Sequence, residues 1–250
     1  MSDNSSSYMF QVYDRLKDIE RESILKLERE QAFHFVELAN DWIDITIAIE
    51  RTSTSDEISE SLVFAHFFSL FKEVRWFQLH FLSGNYPLLG RSLRFVWEMI
   101  FRAYYVDTYT DESPPGPSLN DKTMWLAQRE SNLRWDNCIG PMLGKVLPLV
   151  EQEQEVQEHY HALWKSLHKY AHPSVDLVSR MMGESALFMT GSFDETWAKE
   201  IIQDATEVFD LICLAMISRF PRCAPVLAQQ EHGLVCPLTQ AVLEKFPLTD

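Results

Sequence analysis

Glycine is scarce in this chain, with 8 residues in 250, where an average protein carries roughly 7%. Phosphate loops and dinucleotide fingerprints need several glycines at fixed spacing, and no such motif is present, nor is a G-x-S-x-G elbow. The same shortage disfavours β-rich architectures, which use glycine at turns and bulges. Cysteine is also sparse: the 4 residues Cys138, Cys213, Cys223 and Cys236 form no C-x-x-C pair, so no zinc ribbon or dithiol motif is written. They read as ordinary thiols in a reducing compartment. Long apolar runs are missing too; Leu211 to Ile217 is short and lies between Asp210 and Arg219, so no bilayer span is expected. Met1 to Tyr8 is polar and Ser-rich, without the basic and apolar regions of a signal peptide. The expected location is the cytoplasm. Positive charge is in deficit, with 22 Lys and Arg against 37 Asp and Glu and a net charge of −15. Over most of its surface such a chain repels nucleic acid and anionic membrane.

What the chain has is apolar and aromatic side chains: 46% hydrophobic residues, including 16 Phe, 8 Tyr and 7 Trp. That is enough for a large core. The expected fold is all-α, a single-domain bundle of six to eight helices over 9–220. A disordered start over 1–8 precedes it, and a tail over 221–250 with one short helix near Leu238 to Lys245 follows. Met9 to Thr52 reads as one long helix or two in line, able to project and pair with a second copy, so a homodimer is expected. Thr52 to Glu57 carries N-cap chemistry for a helix over Glu57 to Leu82. Further helices are expected from Pro87 to Tyr109, from Asn120 to Trp135 with Asn120 or Asp121 as cap, and from Met142 to Leu149. Two more should run from Glu151 to Ala171 and from about Asp194 to Arg219. The clearest linker is Thr110 to Ser118, and a short extended piece is expected at Ser185 to Thr190.

The helix after Pro87 is apolar almost all round, except for Arg91, Arg94, Glu98 and Arg102 at spacings of three, four and four. They fall within a narrow arc of a 3.6-residue period. Charges on so apolar a helix must pair, cross an interface or line a cavity. Two readings stay open: a structural ion-pair network centred on Glu98, or a pocket whose surplus guanidinium binds a carboxylate or phosphate. Arg91, Arg94 and Arg102 of this stripe are also the best candidates for a local basic patch. A second constellation is histidine-rich: His159, His161, His168 and His172. His161, Lys165, His168 and His172 share a helical arc, either as a solvated or half-buried face or as a site where the His168/His172 pair chelates a metal or holds a phosphate with Lys165. A di-iron bundle needs two E-x-x-H motifs; Glu158 to His161 is one and no second exists, so no metal and no cofactor is expected.

Arg75-Trp76-Phe77-Gln78-Leu79-His80 resembles the R-x4–6-H motif of HEPN-domain ribonucleases, helical proteins often found in prokaryotic defence or toxin systems. It departs from them in carrying Trp76 where a polar residue is usual. The resemblance implies Arg75 and His80, or Arg94 and His172, as a metal-independent catalytic pair. More broadly, Gly84-Asn85-Tyr86 leading into Arg91, Arg94 and Glu98, with Leu163 to Ser174 ending in His172-Pro173, resembles prokaryotic helical proteins of unknown function. That resemblance covers about Asn85 to Ser174 and implies that Arg91 or Arg94, Glu98 and His172 meet in space. The favoured expectation is a binding protein with an Arg/Glu/His pocket or dimer surface for a partner or small anionic ligand. Its candidate residues are Arg91, Arg94, Glu98, Arg102, Lys165, His168 and His172.

Overall fold

The computed structural model describes residues 4–108, 115–149, 154–171, 193–230 and 232–246. Among them the chain is all-α. The helices are α1 Asn4–Lys26, α2 Arg29–Ala32, α3 His34–Thr52, α4 Ser55–Ser59, α5 Leu62–Leu82 and α6 Tyr86–Thr108. They continue with α7 Leu119–Arg129, α8 Gly140–Val146, α9 Gln154–Ala171, α10 Glu195–Arg219, α11 Ala224–Ala228 and α12 Pro237–Leu243. Short 3-10 turns lie at Glu130–Asn132, Leu147–Leu149 and Pro221–Cys223, and a π turn at Trp135–Ile139. His172 and the extended piece expected at Ser185 to Thr190 fall outside the described residues, as does most of the Thr110 to Ser118 linker.

The helix α6 lies at the centre of the packing, against α5, α10 and α9, while α3 packs on α5 and α10. In α10, every residue from Val208 to Ile217 is buried, Asp210 included. One face of α3 buries Phe35, Leu38, Trp42, Ile45 and Ile49, the spacing of a 3.6-residue repeat. Trp42 lies flat on Phe67 of α5 at 3.9 Å between centroids, and its indole N–H donates to the Phe67 carbonyl at 3.1 Å. The ring therefore buries its area without orphaning its polar atom.

Several boundaries differ from the sequence reading. The N-terminal run is broken at Glu28 and again at Phe33. Leu27 and Ala32 are both buried, yet five residues on a straight helix turn through ~140°; the break lets both face inward. α1 already begins at Asn4, inside the segment expected to be disordered. The helix expected over Glu57 to Leu82 is split at Glu60 and Ser61. Thr54 and Glu57 form a capping box on α4, and the start of α5 is closed by Asp107 from the far end of α6. The Asp107 carboxylate accepts from Leu62 N and Val63 N, both at 3.0 Å, and from Ser61 Oγ at 2.7 Å. It also pairs with Lys122 Nζ at 2.9 Å, so a buried charge is matched by a cation and by the positive end of a helix. Ser118, not Asn120 or Asp121, caps α7.

Over the described residues, the segment after Pro221 packs against the core. Cys223, Ala224, Leu227, Cys236 and Leu243 are buried, and two aspartates clamp the segment. Asp41 of α3 accepts from Val235 N at 2.9 Å and Cys236 N at 3.2 Å; Asp210 of α10 accepts from Thr239 N at 2.8 Å and Thr239 Oγ1 at 2.9 Å. Neither has a cation among these partners, and burial pushes both carboxyls up to about 6.

Glycine matters at two places. Gly84, with φ 67, makes the left-handed turn between α5 and α6. At Gly90, an added Cβ would fall 2.3 Å from Tyr170 Cδ2, so only glycine lets α9 sit this close to α6. Tyr170 cannot swing aside freely, because Trp197 Nε1 donates to its hydroxyl at 3.0 Å.

Two expectations follow from this packing. Gly90→Ala is expected to cost ~2 kcal/mol through overpacking. Gly144→Ala, whose added Cβ meets only the Gln157 side chain at 3.4 Å, is expected to be neutral or stabilising; thermal melts of both variants check this. For the clamp, a carboxyl raised from about 3.9 when unfolded to about 6 when folded favours the folded state below about pH 4, and that contribution is lost as pH rises through 6. Asp210→Asn removes the titration, so its Tm relative to the parent should improve steadily from pH 4 to pH 7. A constant offset across that range would contradict the assignment. Burial also lowers His34 to about 4, an opposing trend that cancels in the comparison.

Candidate functional site

The charged stripe of α6 forms one wall of a cleft. Arg94, Glu98 and Arg102 are one turn apart, so their side chains stack along one edge of the helix. Glu98 Oε1 accepts from Arg94 Nε at 2.8 Å, and Oε2 accepts from Arg102 Nη2 at 3.0 Å. Opposite them, α9 contributes Trp164, whose indole N–H donates to the same Glu98 Oε1 at 3.0 Å. The Arg94 guanidinium lies over the Trp164 ring at 4.2 Å from its centroid, well inside cation–π range. Trp135, from the π turn, stacks on His161 at 4.5 Å and tilts against Trp164 at 5.5 Å; His168 lies parallel to Trp164 at 6.1 Å. Glu130 reaches in from the 3-10 turn and accepts from Arg102 Nη1 at 3.1 Å.

These groups enclose a volume of about 460 Å³, lined by Arg94, Glu98, Arg102, Arg134, Trp164 and His168, with Leu133 and Ile139 as apolar floor. That is within the size range of small-molecule sites. Its hydrogen-bond inventory does not balance. The Arg94 and Arg102 guanidiniums bring ten N–H donors, whereas the carboxylates of Glu98 and Glu130 offer about eight acceptor positions, and Trp164 uses part of that capacity. Arg94 is only 9% exposed, and its Nη1 is buried with no hydrogen-bond partner; Arg102 Nε is in the same condition. Other atoms of both arginines line the cleft. The nearby Cys138 thiol is pushed up to about 12 by burial, which leaves it un-ionised and a poor nucleophile.

The two constellations marked in the sequence thus meet through Trp164. Arg94, Glu98, Arg102 and His168 share the cleft. Arg91 is exposed and does not line it, and Lys165 is likewise exposed on α9. Whether His172 joins them lies outside the described residues. Arg75 is exposed, and His80 is half-buried, with its pKa lowered by burial. His159 turns to Glu207 instead, its Nε2 2.7 Å from Oε2, beside another cleft of about 490 Å³ that includes Tyr160, Thr206, Asp210 and Leu238. Among the described residues, no group of three or more His, Cys, Asp or Glu side chains is placed to hold a metal ion, and no single helix is long and apolar enough to cross a membrane. Sequence reasoning missed Glu130, Arg134 and Trp135, which lie in irregular turns where periodicity carries no signal. It also placed Trp164 with the plain apolar face of α9. No family model, curated protein or solved structure matches the chain.

Glu98→Ala is expected to lower stability by about 3 kcal/mol, because it strands the poorly exposed Arg94 and one indole N–H and leaves Arg102 with Glu130 alone. Glu98→Gln, which still accepts from Trp164, should lose less. Urea unfolding of both variants checks the order; equal and negligible losses would contradict a buried network.

Proposed function

We propose that this is a ligand-binding protein whose cleft between α6, α9 and the turns over 130–139 takes a small anion. The observation that carries the reading is the lining: the guanidiniums of Arg94, Arg102 and Arg134 stand against two carboxylates, Glu98 and Glu130, with Arg94 held by Glu98 and backed by Trp164. Cationic donors in excess of carboxylates along a cleft suit an anion. Glu98 and Trp164 hold the guanidinium in place before the ligand arrives, which reduces the ordering that binding requires. The four free cysteines are all buried, which fits a reducing compartment such as the cytoplasm.

The ribonuclease alternative has less support. Arg75 and His80 are five residues apart on α5, so they diverge by ~140° around it, and neither lines the Arg94 cleft or the His159 cleft. The other pair, Arg94 and His172, depends on a residue that is not described.

The test is a thermal melt of the parent protein and of Arg94→Gln against benzoate, phosphate and sodium chloride at matched ionic strength. A bound anion at a hundred times its Kd stabilises by about 2.7 kcal/mol. The expected result is a rise in Tm with at least one of the two anions in the parent and no rise in the variant. No rise in either protein, or the same rise in both, would overturn the reading.

A further inference from the structure

The cleft's charge balance and lining narrow the class of anion, an inference that rests on the anion-binding reading above. Three arginines line it, Arg94, Arg102 and Arg134, against two glutamates, Glu98 and Glu130. One formal positive charge is left over, enough for a monoanion. A phosphate monoester carries nearly two negative charges at neutral pH. It would bring the second charge up to a wall that already holds two carboxylates, a like-charge contact that weakens binding.

The donors point the same way. Phosphate sites are commonly built on backbone N–H groups at a helix N-terminus or in a nest. Here the two long helices face the cleft with the middle of α6 and the C-terminal half of α9, and the turns over 130–139 bring the side chains of Glu130, Arg134 and Ile139 to the rest of its wall. The cationic groups that line it are the side chains of Arg94, Arg102 and Arg134, planar forks whose geometry matches a carboxylate. Beside them, Leu133, Ile139 and the Trp164 ring present apolar surface that a bare inorganic ion cannot use and an organic body can.

We infer that the cleft binds a monocarboxylate carried on an aromatic or other apolar body, with the carboxylate on the arginines that line it and the body against Leu133, Ile139 and Trp164. Glu98 has two roles in this arrangement. It fixes both guanidiniums, and its negative charge selects against dianions.

The experiment is a matched titration by ligand-observed NMR at about pH 7.5, where phenyl phosphate is close to a dianion, using benzoate, phenyl phosphate and benzamide, which share one ring and differ in charge. The parent protein is expected to bind benzoate, to bind phenyl phosphate several-fold more weakly, and not to bind benzamide. Arg94→Gln should weaken benzoate by ~10- to 100-fold, the loss of a charged hydrogen bond. Glu98→Gln should narrow or reverse the preference for benzoate over phenyl phosphate. Phenyl phosphate binding more tightly than benzoate to the parent overturns this inference and leaves the anion site standing. Failure of both anions to bind, or benzamide binding as well as benzoate, overturns the inference and the anion reading together.

Discussion

The arrangement around the cleft depends on the Glu98 carboxylate. It is one acceptor shared by three donors from two helices: Arg94 Nε, Arg102 Nη2 and Trp164 Nε1, all within 3.0 Å. Taking three charges most of the way out of water is costly, and the mutual attraction of the pairs offsets this only when the geometry is good and the remaining donors are satisfied. Here the geometry is good and the donors are not all satisfied. The surplus of arginine over carboxylate along the cleft is what the proposed anion site rests on.

That carboxylate acts through a scaffold that brings α6 and α9 unusually close. Gly90 lets the Tyr170 ring lie against the α6 backbone, and the bond from Trp197 holds that ring from the α10 side. With α9 fixed there, Trp164 and His168, six and two residues before Tyr170, come level with the charged stripe. At the other end of α6, Asp107 ties the helix to the start of α5 and to Lys122 of α7. The chain then passes through Glu130 and Arg134 before it enters α8. The cleft is the gap left where these irregular turns bridge two well-packed helices. A π turn at its edge, Trp135–Ile139, is a local irregularity of the kind often retained at functional sites.

Much of this was legible in the residues. The scarcity of glycine and the helical period of the apolar positions identified an all-α chain, and charge on an otherwise apolar helix marked Arg94, Glu98 and Arg102 before any coordinates. Arg91 was included because spacing alone puts it on the same arc, but one turn farther toward the helix start it reaches solvent. The break at Glu28 and the packed C-terminal segment were not legible. Both depend on contacts between residues far apart in sequence, Leu27 and Ala32 against the core in one case, Asp41 and Asp210 with residues 235–239 in the other. Trp164 was hidden for a simpler reason: an aromatic residue on an apolar face reads as core, and only its indole N–H, aimed at Glu98, reveals a second role.

The arginines that line the cleft, Arg94, Arg102 and Arg134, are proposed to hold an anion. This is tested most directly by a high-resolution crystal structure grown with 4-bromobenzoate, in which bromine locates the ligand by anomalous scattering. The expected result is one bromine over the apolar floor formed by Leu133 and Ile139, and a carboxylate oxygen within hydrogen-bond distance of at least one of these three guanidiniums. An empty cleft would contradict it.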